Sequence, residues 1–208
     1  MIKLIVWVLA LAILPCASVA QSISGIRVGE PASSLEKLHL KPVATDHVGS
    51  METVKYNAAN GNELSVTYDR ASNRIVYIES DWNRKPESAA TDLVGFEFGV
   101  TTLEKIRTTN DSNGFAFKNN AMNIINGDLV AFNAFRIKDK RGLVAVFVTT
   151  LNVRDFKSKK YGVDTEQAEI PKNLKLDALI LAEEHYLDQI WGSEKVSDKD
   201  AKPISWER

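Results

Sequence analysis

Gly25-Ile26-Arg27-Val28-Gly29 opens a pattern that returns as Gly95-Phe96-Glu97-Phe98-Gly99. Ser33-Ser34-Leu35-Glu36-Lys37-Leu38 follows the first copy, and Thr101-Thr102-Leu103-Glu104-Lys105-Ile106 follows the second. A repeat of this length points to a duplicated small unit rather than one mixed fold. Ser33 with Glu36, and Thr101 with Glu104, have capping-box spacing. In that device the hydroxyl accepts from a first-turn N–H and the carboxylate reaches back to the cap. The spacing predicts a helix over about 34–40, stopped by Pro42, and a second from Thr101 to about Thr108. Asn110, Asp111, Asn113 and Gly114 end the second. Helices this short are marginal alone. They must dock through Leu35 and Leu38, and through Leu103 and Ile106.

Strand-like runs follow each helix. The first unit offers 52–57, 63–68 and 74–82, with a turn at Asn60-Gly61, where both residues tolerate positive φ. The second offers 115–118, 129–137 and 143–152, with turns at Asn126-Gly127 and 138–142. A linker over 83–92 contains Pro86. The shared unit is a short helix and an antiparallel meander, which makes an α+β fold. Segments 25–82 and 95–152 are expected to superpose. Beyond them, Leu176, Leu179, Ile180, Leu187, Ile190 and Trp191 fall on one helical stripe, predicting an additional C-terminal helix over 174–191 stopped by Gly192. Residues 154–160 read as a short basic helix, and 193–208 as a loose polar tail. The organisation is then 1–20 a signal peptide, 21–85 repeat 1, 93–162 repeat 2, and 163–208 the C-terminal helix and tail.

Lys3 is a charged n-region and 4–14 an apolar h-region, too short for a membrane span of about 20 residues. Ser18-Val19-Ala20 places small residues where signal peptidase reads. Cleavage after Ala20 leaves 188 of 208 residues and implies a periplasmic or secreted protein. Cys16, the single cysteine, lies inside the signal, so the mature chain holds no thiol. Lipid anchoring through Cys16 needs a small residue before it, and Pro15 stands there. Cleavage at Ala20 is therefore preferred.

The 26 basic and 27 acidic residues argue against a dedicated nucleic-acid binder. The charge is segregated: residues 136–160 carry net +6 and 164–200 net −6. Both runs read first as solvated faces that can meet each other. The sharper reading of 136–160 is weak contact with an anionic membrane surface.

No His-Glu-x-x-His, Cys-x-x-Cys, Gly-x-Ser-x-Gly or phosphate loop occurs. His39, His47 and His185 have no second ligand at metal spacing. No catalytic residue, metal or cofactor is assigned. Alternation along 63–68 and 74–82 puts Leu64, Val66 and Tyr68 on one face, opposite Ser65 and Thr67. It puts Val76, Ile78 and Trp82 opposite Ile75, Tyr77, Glu79 and Asp81. Ser65, Thr67, Tyr77, Glu79 and Asp81 then form a candidate recognition surface, since aromatic side chains are enriched at interfaces. The plain alternative is a solvated sheet face. The 143–148 run is apolar at every position, so both its faces need cover, and the C-terminal helix is the candidate cover.

The two Gly-x-x-x-Gly openings at 25–29 and 95–99, the capped helices and the meanders make this arrangement similar to the β-lactamase-inhibitor-protein-like group. That group includes the small outer-membrane lipoproteins of the SmpA/OmlA type. The resemblance covers 23–162 and implies protein binding in a bacterial envelope. The C-terminal helix is an addition to the pattern, and the inhibitor's disulfides have no counterpart. We therefore read the chain as a non-enzymatic binding module: an inhibitor, adaptor or assembly factor for another envelope or secreted protein. The alternatives are a carrier or sensor of a small or lipidic ligand held between sheet and C-terminal helix, and an envelope hydrolase using the carboxylate pair Glu79 and Asp81.

Overall fold

The computed structural model describes residues 21–154, 169–197 and 199–206. The expected signal segment with Cys16, and residues 155–160 of the expected basic helix, lie outside the described residues. Ten strands build one sheet: β1 (Ala44–Val48), β2 (Met51–Asn57), β3 (Glu63–Asp69), β4 (Arg74–Asp81), β5 (Phe115–Phe117), β6 (Met122–Ile125), β7 (Asp128–Arg136), β8 (Leu143–Asn152), β9 (Lys175–Glu183) and β10 (Lys195–Ser197). Their order is β1-β2-β3-β4-β9-β8-β7-β5-β10, with β6 on β7 beside β5. The strand pairs are antiparallel. A 3-10 helix (Ala32–Leu38), α1 (Leu103–Thr109) and α2 (Glu184–Trp191) pack on the sheet. The fold is α+β.

The expected C-terminal helix is half strand. Residues 175–183 form β9 at the centre of the sheet, and only Glu184–Trp191 is helical. Leu176, Leu179 and Leu181 enter the core on one face, which we call face A, while Ala178, Ile180 and Ala182 enter the core on the opposite face, face B. A strand buried on both faces is apolar at nearly every position, so its periodicity cannot be told from that of a buried helix. The centre of the sheet decides: β9 supplies pairing edges to both β4 and β8, and unpaired buried backbone would be costly.

Face A is the larger core. Val54, Tyr56, Leu64, Val66, Ile75, Ile78, Phe135, Phe147 and Leu179 meet Ile23, Ile26, Phe96, Phe98 and Ile106 there, with Leu35 and Leu38 of the 3-10 helix packed against them. Leu103 and Ile106 are buried as the docking argument requires. The helix starts differ from the capping-box expectation. The first helix begins after Pro31 with no side-chain cap, so Ser33 caps nothing. In the second, Thr102 rather than Thr101 is the N-cap, accepting from Lys105 N–H. Thr101 Oγ1 instead accepts from Glu97 N–H, closing the glycine-led loop.

The two glycine loops are tied to the sheet alike. Gly29 N–H donates to Ile75 C=O in β4, and Gly99 N–H donates to Leu176 C=O in β9. Ile75 N–H in turn donates to Glu30 C=O, and Leu176 N–H to Thr101 C=O. The strand that the second loop meets is β9 rather than β8, as β4 is the strand that the first loop meets.

Strands β1, β6 and β10 were not foreseen. Asn126 and Gly127, both at positive φ, make the two-residue turn from β6 to β7 that such a pair favours. The expected loose tail is docked: Ile204 and Trp206 are buried in the face A core, and Ile204 bridges Ile137.

Candidate functional site

All five candidate recognition residues lie on face B, in register. Ser65 pairs with Lys55 and Glu79, Thr67 with Thr53 and Tyr77, and Asp81 with Glu63. Across the β4–β9 seam the rows continue as Ile180, Ala182 and Ala178. The rows that are polar on β2–β4 are therefore apolar on β9 and β8. Helix α2 lies over the apolar part: Leu187 is fully buried with Val144, Val146, Ile180 and Ala182, and Trp191 packs against Phe117 and Phe132. The expected cover for the apolar β8 run is thus present on face B.

The polar part is not an evenly solvated surface. Ser65 and Thr67 are buried, and Tyr77, Glu79 and Asp81 are half-buried. Thr67 shares a 2.8 Å hydrogen bond with Thr53. Tyr186 of α2 sets its ring edge-on to Tyr77 at 5.8 Å. Tyr77 O–H donates to Glu79 Oε2 at 2.7 Å. Lys55 Nζ binds Glu63 at 2.7 Å. Ser65 and Thr67 therefore serve as floor, and Tyr77, Glu79 and Asp81 as accessible groups.

One departure from simple alternation matters here. The register slips so that Tyr68 pairs with Ile75 while Thr67 pairs with Tyr77. The extra residue, Val76, is a bulge. It returns Ile75 to face A beside Ile78, instead of the face B position expected from strict alternation. A second bulge on β9, where Val148 pairs with Ala178 and Thr149 with Leu176, leaves Asp177 as the extra residue.

Asp177 thereby reaches a cleft of about 490 Å³ at the end of β4. Glu79, Asp81, Asp128 and Asp177 line it on the polar side, with Arg84; Val130, Phe132, Val148, Ala178 and Ile125 form the apolar wall. Arg84 bridges Asp128 at 3.0 Å and Asp177 at 3.2 Å. Asp81 makes no side-chain hydrogen bond or ion pair with any described residue. Burial, then the neighbouring Glu79 and Glu63 carboxylates, push its carboxyl up to about 8. Burial also raises Glu79, against the stabilising Tyr77 hydrogen bond. Asp177 is raised by burial, with Arg84 opposing. A cation placed near Asp81 would relieve this crowding.

Arg84, Asp128 and Asp177 were not picked out from the sequence. They come from the linker, a hairpin start and the segment read as helix. The one available signal was Asp177, a lone acid at the edge of an apolar run. Among the described residues no group of three or more His, Cys, Asp or Glu side chains is placed to hold a metal ion. No described helix is long and apolar enough to cross a membrane. Compared with known proteins, the chain matches no family model, no curated sequence and no solved structure.

Proposed function

We propose that this is a non-enzymatic binding module of the bacterial envelope, which holds another protein against the open half of face B. The observation that carries the reading is the division of that face. Helix α2 covers its apolar half, and the other half presents Tyr77, Glu79 and Asp81 beside an apolar-walled cleft. A mixed surface with aromatic and apolar anchors next to Asp81, a carboxyl with no ion-pair partner among the described residues that an incoming cation would ionise, suits a partner segment carrying a Lys or Arg beside an apolar side chain. The matching backbone ties of Gly29 and Gly99 support a tandem repeat with its seam between β4 and β9. They are in keeping with the resemblance to the β-lactamase-inhibitor-protein-like group. Cleavage after Ala20 belongs to the same reading and leaves the buried Ile23 and Ile26 in the mature chain. N-terminal sequencing that returns Gln21 supports it, and a lipid-modified Cys16 overturns it.

A tagged chain is expected to recover one defined envelope protein. Asp81→Asn should cut the recovery about ten-fold, the factor for one charge interaction of about 1.4 kcal/mol. Affinity should rise with pH towards about 8, since a cation binds the ionised carboxyl. Failure to recover a specific protein across several salt conditions overturns the proposal. A second reading, hydrolysis with Asp81 as general acid, draws on the same raised carboxyl. Hydrolytic activity unchanged in the Glu79→Ala, Asp81→Ala double variant removes it.

A further inference from the structure

The turn joining β7 to β8 carries Lys138, Asp139, Lys140 and Arg141, following Arg136. These residues, with Gly142, Glu184 and Pro203, line a shallow concavity of about 790 Å³. Arg136 is occupied. It holds Glu184 through two nitrogens at 2.8 and 3.0 Å and lies over the Phe115 ring. Glu184 is further satisfied by Lys195, and Glu183 sits within 3.2 Å of His185. Lys138, Lys140 and Arg141 are exposed and make no ion pair or side-chain hydrogen bond with any described residue. Asp139 is the one unpaired acid of the turn, so the turn keeps a net surplus of two positive charges.

The acidic cleft lies at the other end of the same strand. Asp128, the first residue of β7, lines the cleft, and Arg136, the last, lines the basic concavity. Eight residue steps along a strand separate them by about 26 Å. That is about three Debye lengths at physiological ionic strength. An anionic surface held by the turn would therefore neither repel nor screen the cleft.

We propose that the β7–β8 turn is a contact site for anionic phospholipid headgroups, which orients the molecule with its acidic cleft facing away from the membrane. Three cations on an exposed turn beside a shallow hollow fit a plane of headgroups better than an enclosed small anion. Each Lys or Arg near an anionic surface adds a modest increment, so the contact is weak and reversible.

The test is co-sedimentation of the purified protein with phosphatidylglycerol–phosphatidylcholine vesicles, against phosphatidylcholine alone. The protein should bind the anionic vesicles only and be released by high salt. The Lys138→Ala, Lys140→Ala, Arg141→Ala variant should lose ten-fold or more. Asp139→Asn removes the opposing charge at a positive-φ position that asparagine tolerates, and should bind a few-fold tighter. Circular dichroism and the thermal midpoint verify that both variants fold. Equal binding to neutral vesicles, or no change in either variant, overturns the proposal. Competition by inorganic phosphate, beyond that of chloride at matched ionic strength, also overturns it, because the turn would then be a small-anion site.

Discussion

On face B the strands either side of the β4–β9 seam carry opposite chemistry. Lys55, Ser65, Thr67, Tyr77, Glu79 and Asp81 occupy β2–β4, while Val144, Val146, Val148, Ala178, Ile180 and Ala182 occupy β8 and β9. On face A the two halves are alike: both are apolar, and both receive a glycine-led loop and a short helix. The two halves of the sheet thus meet the same requirement on face A and different requirements on face B. Helix α2 follows β9 directly and folds back over the apolar half, because apolar area removed from water stabilises by about 25 cal/mol per Å². The same helix would lose that return over the carboxylates, whose desolvation opposes burial. The polar half therefore remains available.

Removing the cover is expected to have the largest effect. Leu187→Ala should cost about 2–5 kcal/mol in urea unfolding, since the side chain is fully buried against Val144, Val146 and Ile180. A loss well below about 1 kcal/mol would mean that α2 is not what closes this half.

The glycine loops sharpen the comparison on face A. Gly99 has φ +70, and a Cβ there would lie 2.2 Å from the Trp82 ring. Gly29 has φ +87, but its nearest neighbour to such a Cβ is the Arg74 guanidinium at 3.8 Å. Gly99→Ala should combine left-handed strain with overpacking, about 3 kcal/mol, and Gly29→Ala should cost about 1–2 kcal/mol from strain alone. Equal losses would show that Trp82 yields freely.

The open half is tested by pH. Asp81 is raised in the fold to about 8, from about 3.9 in the unfolded chain. The folded chain therefore binds the extra proton, and stability falls as pH rises between those values. Asp81→Asn removes that contribution. It should match the native chain near pH 4 and exceed it at pH 8 by on the order of 2 kcal/mol, less than half of what the full shift would carry, because solvent reaches the half-buried carboxyl. A residual slope from Glu79, also raised, should persist. A variant less stable at pH 8 would show that Asp81 is held by a partner within the fold.

The smallest effect separates the two helix starts. Thr102→Ala removes the bond to Lys105 N–H and should cost about 1 kcal/mol. Ser33→Ala removes no cap and should change stability by less than about 0.5 kcal/mol.

The antiparallel meanders, the Asn126-Gly127 turn and the docking of Leu103 and Ile106 were legible because local chemistry and tertiary context agree there. So was the shared face of Ser65, Thr67, Tyr77, Glu79 and Asp81, which follows from period-two alternation. Strand β9 was not legible. Leucine and alanine favour helix, and only the vacant central position between β4 and β8 forces the segment extended. That misreading concealed Asp177, which a bulge re-aims, and with it the cleft. Thr101 misled for a related reason: its hydroxyl serves the loop through Glu97 N–H, and the next residue takes the cap. The tail was read from its polarity, although Ile204 and Trp206 anchor it.

The central claim is that the open half of face B, and not the covered half, meets the partner. A photo-crosslinking side chain placed in living cells at Asn57, exposed at the end of β2 in the row of Glu63 and Asp81, tests it directly. The comparison position is Gln189 on the exposed side of α2. The account predicts a discrete crosslinked protein from Asn57 and none from Gln189. The same product from both positions, or one from Gln189 alone, would contradict it.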